Sequence, residues 1–119
     1  MILVLAHTDD RQVIFARRQT WPAGAWALIA GFIEVGETAE VAALRELAEE
    51  ANVIGRHPRV RRTLVRDDLL LVCVEVEFKG QPQPGSDVDE VLLAVADPKL
   101  IPEEWQARAF VEDYNRGWK

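Results

Sequence analysis

Residues 31–53 read GFIEVGETAEVAALRELAEEANV, a glycine-punctuated loop that runs into a helical pattern. Thr38 suits an N-cap, and Glu40 suits a first turn, where the helix dipole favours negative charge. The pattern predicts a helix over 38–51. At about 100° per residue, Val41, Leu44, Leu47, Ala48 and Ala51 form one apolar stripe. Glu46, Glu49 and Glu50 fall on the opposite side, related by i+3 and i+4 spacing. Carboxylates gathered there repel one another, which costs helix stability unless a cation binds between them. A merely solvated acidic face would carry the same pattern. Hard oxygen ligands beside a loop that can offer carbonyls suit Mg²⁺ or Mn²⁺.

The whole stretch resembles the signature of the Nudix hydrolases, G-x5-E-x7-R-E-U-x-E-E-x-G-U, where U is aliphatic. Gly31, Glu37, Arg45, Glu46, Leu47, Glu49, Glu50 and Val53 match at the required spacing. The one departure is Asn52, where the family has glycine. Asparagine also tolerates the left-handed conformation that a helix C-cap needs.

Working outward, 119 residues fit one domain, 1–119, with a hydrophobic core of its own. The composition is 49% hydrophobic and 29% charged, that of a soluble globular protein. A net charge of −6 argues against a general polyanion-binding surface. No stable nucleic-acid partner is expected. A homodimer is left open. Cys73 is the only cysteine, which rules out an internal disulfide or a zinc ribbon from this chain. Its setting, LLLVCVEV, reads as core. The apolar runs are too short to span a bilayer and no signal peptide is evident, so cytoplasm is the expected location.

Met1–Ala6 and Gln12–Ala16 read as a hairpin of buried strands. Because the chain begins almost inside its first strand, a missing N-terminal segment is an open expectation. Arg17, Arg18 and Trp21 then lie in a basic and aromatic loop. Guanidinium groups pair with phosphates and an indole stacks on a base, so these are candidate substrate contacts. Residues 26–30, WALIA, read as a central strand that delivers Gly31, with Trp26 in the core. Further strands are expected over 60–65 and 69–78. Val72, Val74 and Val76 share one face of the second; Cys73, Glu75 and Glu77 share the other, with both glutamates facing solvent. His57 reads as a loop residue. The Pro/Gly-rich stretch KGQPQPGS (79–86) leads to Asp87, Asp89 and Glu90, acids at a loop–strand junction where functional groups are common. A strand over 91–96 and a helix over 102–114 complete an α+β fold.

The resemblance implies an α/β/α sandwich with a central mixed β-sheet and the signature loop-helix at the active site. It also implies cleavage of a nucleoside diphosphate linked to another group. Carried onto matching positions, Glu46, Glu49 and Glu50 are metal carboxylates, the Gly31 carbonyl is a further ligand, and Arg45 and Glu37 shape the loop. The segments ARRQTWPAGAWALIAGFIEVGE and ARAFVEDY are similar to the NADH pyrophosphatase branch. That branch can use an additional acid at Glu34. Its Ser-Gln-Pro-Trp-Pro-Phe-Pro type sequence is replaced here by RVRRTLVRDDLL. The substrate therefore stays open among NADH, an ADP-ribose-like compound, a nucleotide sugar and a deoxynucleoside triphosphate. Metal ions would neutralise the diphosphate and activate water, while a carboxylate base orients that water. Glu50, Asp87 and Glu90 are the candidate bases. A nucleotide-binding sensor without turnover is the alternative, and an isopentenyl diphosphate isomerase has no convincing catalytic cysteine in Cys73.

Overall fold

The computed structural model describes residues 1–119. An unbroken apolar run near the N-terminus forms β1 (Ile2–His7), the strand on which the sheet is built. It pairs antiparallel with β2 (Gln12–Arg17) and with the short β3 (Ile29–Gly31), and parallel with β5 (Leu69–Phe78). β4 (Gly55–Arg66) and β6 (Glu90–Val95) are the edges, giving the order β4-β5-β1-β2-β6 in a mixed sheet. The signature helix α1 (Ala39–Ala51) covers one face and α2 (Gln106–Asn115) the other. This is the expected α/β/α sandwich.

β1, β2 and β5 each supply both cores, because successive side chains leave a strand on opposite faces. Ile2, Val4 and Ala6 join Val72, Val74 and Val76 beneath α1. Leu3, Leu5, Phe15 and Cys73 join Phe110, Val111 and Tyr114 beneath α2. The thiol of Cys73 is buried, and burial pushes its pKa far up, so it stays an inert core group.

Several details differ from the sequence reading. β3 is only three residues long, with Ala27 touching Ala16 by a lone bridge, and it hangs from β1 rather than forming a central strand. β4 begins at Gly55, so His57 lies within a strand, at a bulge where its φ is 54°. A bulge and Pro58 are tolerated there because β4 is an edge. α2 starts at Gln106; Pro102 to Trp105 form a separate turn closed by the Trp105 N–H to the Pro102 carbonyl at 3.0 Å. Glu75 does not face solvent. It accepts from Arg61 Nε at 2.7 Å and lies 2.8 Å from His7 Nε2.

The largest correction concerns α1. Thr38 caps it as expected, accepting from the Val41 N–H at 3.2 Å. The stripe holds only in part: Leu47 and Ala51 are buried and Leu44 packs on the core, but Val41 and Ala48 are exposed, and Ala42, Ala43, Glu46 and Glu50 are buried instead. Alanines at 42 and 43 let the helix backbone sit close to the sheet. The helix therefore turns their side inward and takes two carboxylates with it.

Candidate active site

The signature loop, α1 and the 86–87 segment enclose an open cavity of about 580 Å³, a ligand-sized volume. Glu34, Arg45, Glu46, Glu49 and Glu50 line it together with Arg18, Trp21 and Asp87. A smaller recess of about 60 Å³ shares Arg18, Trp21, Ala30 and Glu50 with it and extends to Arg17 and Val88. Residues far apart in sequence are thus brought together.

Gly31 leaves room for the Glu46 carboxylate. A Cβ there would overlap that carboxylate and force the Glu46 side chain to move. Arg45 ties the loop to the helix. Its Nε donates to Glu37 Oε2 at 2.7 Å, Nη2 to Glu37 Oε1 at 2.9 Å, and Nη2 also to the Phe32 carbonyl at 3.0 Å. Nη1 reaches Glu46 at 2.9 Å and Glu49 at 3.3 Å. Glu37 in turn accepts from the Glu34 N–H at 2.8 Å. The Arg45 hydrogen bond, followed by that backbone N–H, holds the Glu37 carboxyl below its usual range.

The helix carboxylates carry the opposite strain. Burial raises the pKa of Glu46, against the pull of Arg45. Glu50 is pushed up to about 7, first by burial and then by the charges of Glu46 and Asp87. It is 6% exposed and makes no side-chain hydrogen bond within the protein; only the charge of Arg18 opposes the rise. Such a group is costly when ionised unless a cation neutralises it.

The fit to a divalent cation is chemical rather than ready-made. The donors are all hard oxygens, which suits such an ion. As the side chains stand, no three acids converge on one point, because Arg45 holds Glu46 and Glu49. Ligation would need Glu46 and Glu49 to release Arg45 and converge with Glu50.

The other expected residues divide. Arg18, Trp21 and Asp87 line the cavity. Arg17 does not; its Nη1 pairs with Glu90 at 2.6 Å, and its Nη2 lies 3.5 and 3.4 Å from the Trp21 and Pro22 carbonyls. Glu90 faces that guanidinium across the β2–β6 pair and is absent from the cavity wall. Asp89 accepts from the Gln19 N–H at 2.7 Å and so anchors the basic loop. The acidic segment is therefore pinned at its far end rather than loose. Ser86, unnoticed in the sequence, also lines the cavity, and no local pattern marks it.

A family model for the NUDIX domain matches residues 1–114. The chain belongs to the Nudix hydrolase family. An RNA pyrophosphohydrolase of Gluconobacter oxydans is 30% identical over 92% of this chain and 72% of that protein. The NAD-capped RNA hydrolase NudC of Mycobacterium tuberculosis is 36% identical over 49% of this Nudix chain and 18% of its own length. The chain thus spans less than a quarter of the NudC relatives that it matches. Among solved structures, the NUDIX domain of Shewanella oneidensis NrtR, complexed with ADP ribose, superposes with a TM-score of 0.79 at 23% identity. That match covers 99% of this chain and 86% of that one, and at this identity it shows the shared Nudix fold. Nudix hydrolases generally use divalent metal ions. No helix is long and apolar enough to cross a membrane.

Proposed function

We propose that this domain hydrolyses the diphosphate linkage of a nucleoside diphosphate derivative, using Mg²⁺ or Mn²⁺. The observation that carries the reading is the unpartnered Glu50 carboxylate, nearly buried, facing a cavity that also holds Arg18, Trp21 and Asp87. Glu46, Glu49 and Glu50 would hold the cation, with the Gly31 carbonyl beside them. A bound divalent ion supplies neutralisation of the diphosphate oxygens and polarisation of the attacking water.

The chain's own groups do the rest. Arg18 pairs with a phosphate at the cavity mouth, and Trp21 offers its face to a base or nicotinamide. Trp21 is braced for this by Trp105, edge-on at a ring separation of 5.0 Å. Asp87 is the base we favour over Glu50, because a carboxylate engaged with a cation is less available for the water's proton. The names of the NudC relatives and the ADP-ribose complex of a shared fold favour a dinucleotide or ADP-ribose-like substrate. One observation favours a nucleotide sensor instead: Arg45 occupies two of the three helix carboxylates.

A panel of NADH, ADP-ribose, nucleotide sugars and deoxynucleoside triphosphates separates these readings, with products identified by mass. Cleavage between the phosphates is expected with Mg²⁺ or Mn²⁺ and none in chelator. Full activity in chelator would remove the helix carboxylates from the mechanism. Tight metal-dependent binding without turnover would favour the sensor.

A further inference from the structure

Asn52, the residue that departs from the signature, ends α1 in the left-handed conformation, φ 57° and ψ 36°, with its N–H donating to the Ala48 carbonyl. Its backbone thus does what glycine would do there. Its side chain does something glycine cannot. Nδ2 donates to the carbonyls of Gln83 at 3.0 Å and Pro84 at 3.2 Å.

Around that contact the 83–86 segment is zipped onto the end of the helix. The N–H of Gln83 donates to the Ala51 carbonyl at 2.9 Å, that of Gly85 to Glu50 at 2.9 Å, and that of Ser86 to Glu49 at 3.0 Å. The last carbonyls of a helix have no partner within it, so this connection is their cap. Proline cannot donate, and the donors Gln83 and Gly85 alternate with Pro82 and Pro84. A Cβ at position 85 would overlap the Glu49 carbonyl oxygen, so the approach needs glycine. Directly beyond lies Asp87, itself left-handed at φ 60°, on the cavity wall.

We infer that Asn52 is a positioning residue: its amide clamps residues 83–86 to the end of α1 and so sets Asp87 against Glu49 and Glu50. This rests on the proposed hydrolysis only for its catalytic consequence. The clamp itself is geometry. Glycine at position 52 would keep the turn and the three backbone bonds but release the side-chain tie.

The test compares wild type with Asn52→Gly and Asn52→Asp, using amide hydrogen exchange and steady-state hydrolysis of NADH and ADP-ribose with Mg²⁺. In Asn52→Gly, exchange at residues 83, 85 and 86 should quicken about tenfold, with the rest of α1 and the melting temperature little changed. Turnover should fall about tenfold with KM nearly constant, because alignment is lost and phosphate binding is kept. Asn52→Asp keeps shape and left-handed tolerance but sets a carboxylate against two carbonyls, so its losses should be larger. Wild-type exchange in Asn52→Gly overturns the clamp, and so does Asn52→Asp behaving as wild type. Faster exchange with unchanged turnover overturns the catalytic consequence. If Asn52→Asp does not fold, Asn52→Gly decides alone. If wild type cleaves neither nucleotide, the hydrolase reading fails on those substrates, while exchange still decides the clamp.

Discussion

Glu50 and Glu75 lie on opposite sides of the same sheet, both withdrawn from water, and they are treated in opposite ways. For Glu75, burial pushes the pKa up, but hydrogen bonds from Arg61 and His7 outweigh it and leave the carboxyl below its usual range. For Glu50, burial acts in the same direction and the nearest strong influences, Glu46 and Asp87, add to it. One carboxylate is satisfied by hydrogen bonds; the other has none, and only the charge of Arg18 opposes the rise. Burial alone does not mark a functional acid. Burial without a partner, in a cavity, does.

The largest expected effect separates the two by exchange of each acid for its amide. Glu50→Gln should lower turnover by on the order of 10²-fold or more, since it removes a carboxylate charge proposed to hold the cation. It should leave the metal-free protein at least as stable. Glu75→Gln should do the reverse, with turnover near wild type and a loss of about 1–3 kcal/mol in denaturant unfolding as Arg61 and His7 lose the carboxylate charge and one of its two acceptor oxygens. Glu75→Gln abolishing turnover while Glu50→Gln is active would invert the comparison.

Next in size are the acids of the loop. Asp87→Asn should cost about 10²-fold in turnover with little change in KM, a typical loss for a base. Glu90→Gln should cost far less, because Glu90 is spent on Arg17 outside the cavity. Equal losses in both variants, or a loss in Glu90→Gln alone, would return the role of base to Glu90.

The smallest effect is in stability against pH without metal. Glu50 in the folded state holds a proton up to about pH 7, against about 4.5 for the free side chain. Its contribution to stability is therefore complete below about pH 4.5 and is lost as pH rises through about 7, on the order of 2–3 kcal/mol. Glu75 is depressed, so its contribution is present above the ordinary carboxylate range and is lost as pH falls through its folded value. Urea midpoints across pH 3 to 9 should then decline on both sides. Glu50→Gln or added Mg²⁺ should remove the decline on the alkaline side, and Glu75→Gln the one on the acid side. A flat alkaline limb in the metal-free wild type would show that Glu50 is not strained.

Much of this was legible in the chain. Thr38 as cap, the helix ending at Ala51, the strand over 69–78 and its Val72/Val74/Val76 face all follow from local preferences and periodicity. The left-handed turn at Asn52 follows from residue type in the same way. So does the family, since the signature is a run of spacings within one loop and helix and needs no distant contact to be seen.

Periodicity rightly put Leu44, Leu47 and Ala51 inward, but tertiary structure decided how far α1 is rotated about its axis. Periodicity ranks residues by hydrophobicity, and by that measure Val41 outweighs Ala42 and Ala43. Packing instead rewards the small side chains that let helix and sheet approach, and Glu46 and Glu50 were carried inward with them. The same holds for the acids. Glu75 meets Arg61 and His7, and Glu90 meets Arg17 across 73 positions of chain, through sheet pairing. No local pattern records such partners, because they are set by which strands lie side by side. It is these pairings that separate the acids the fold has used from the one it has left open.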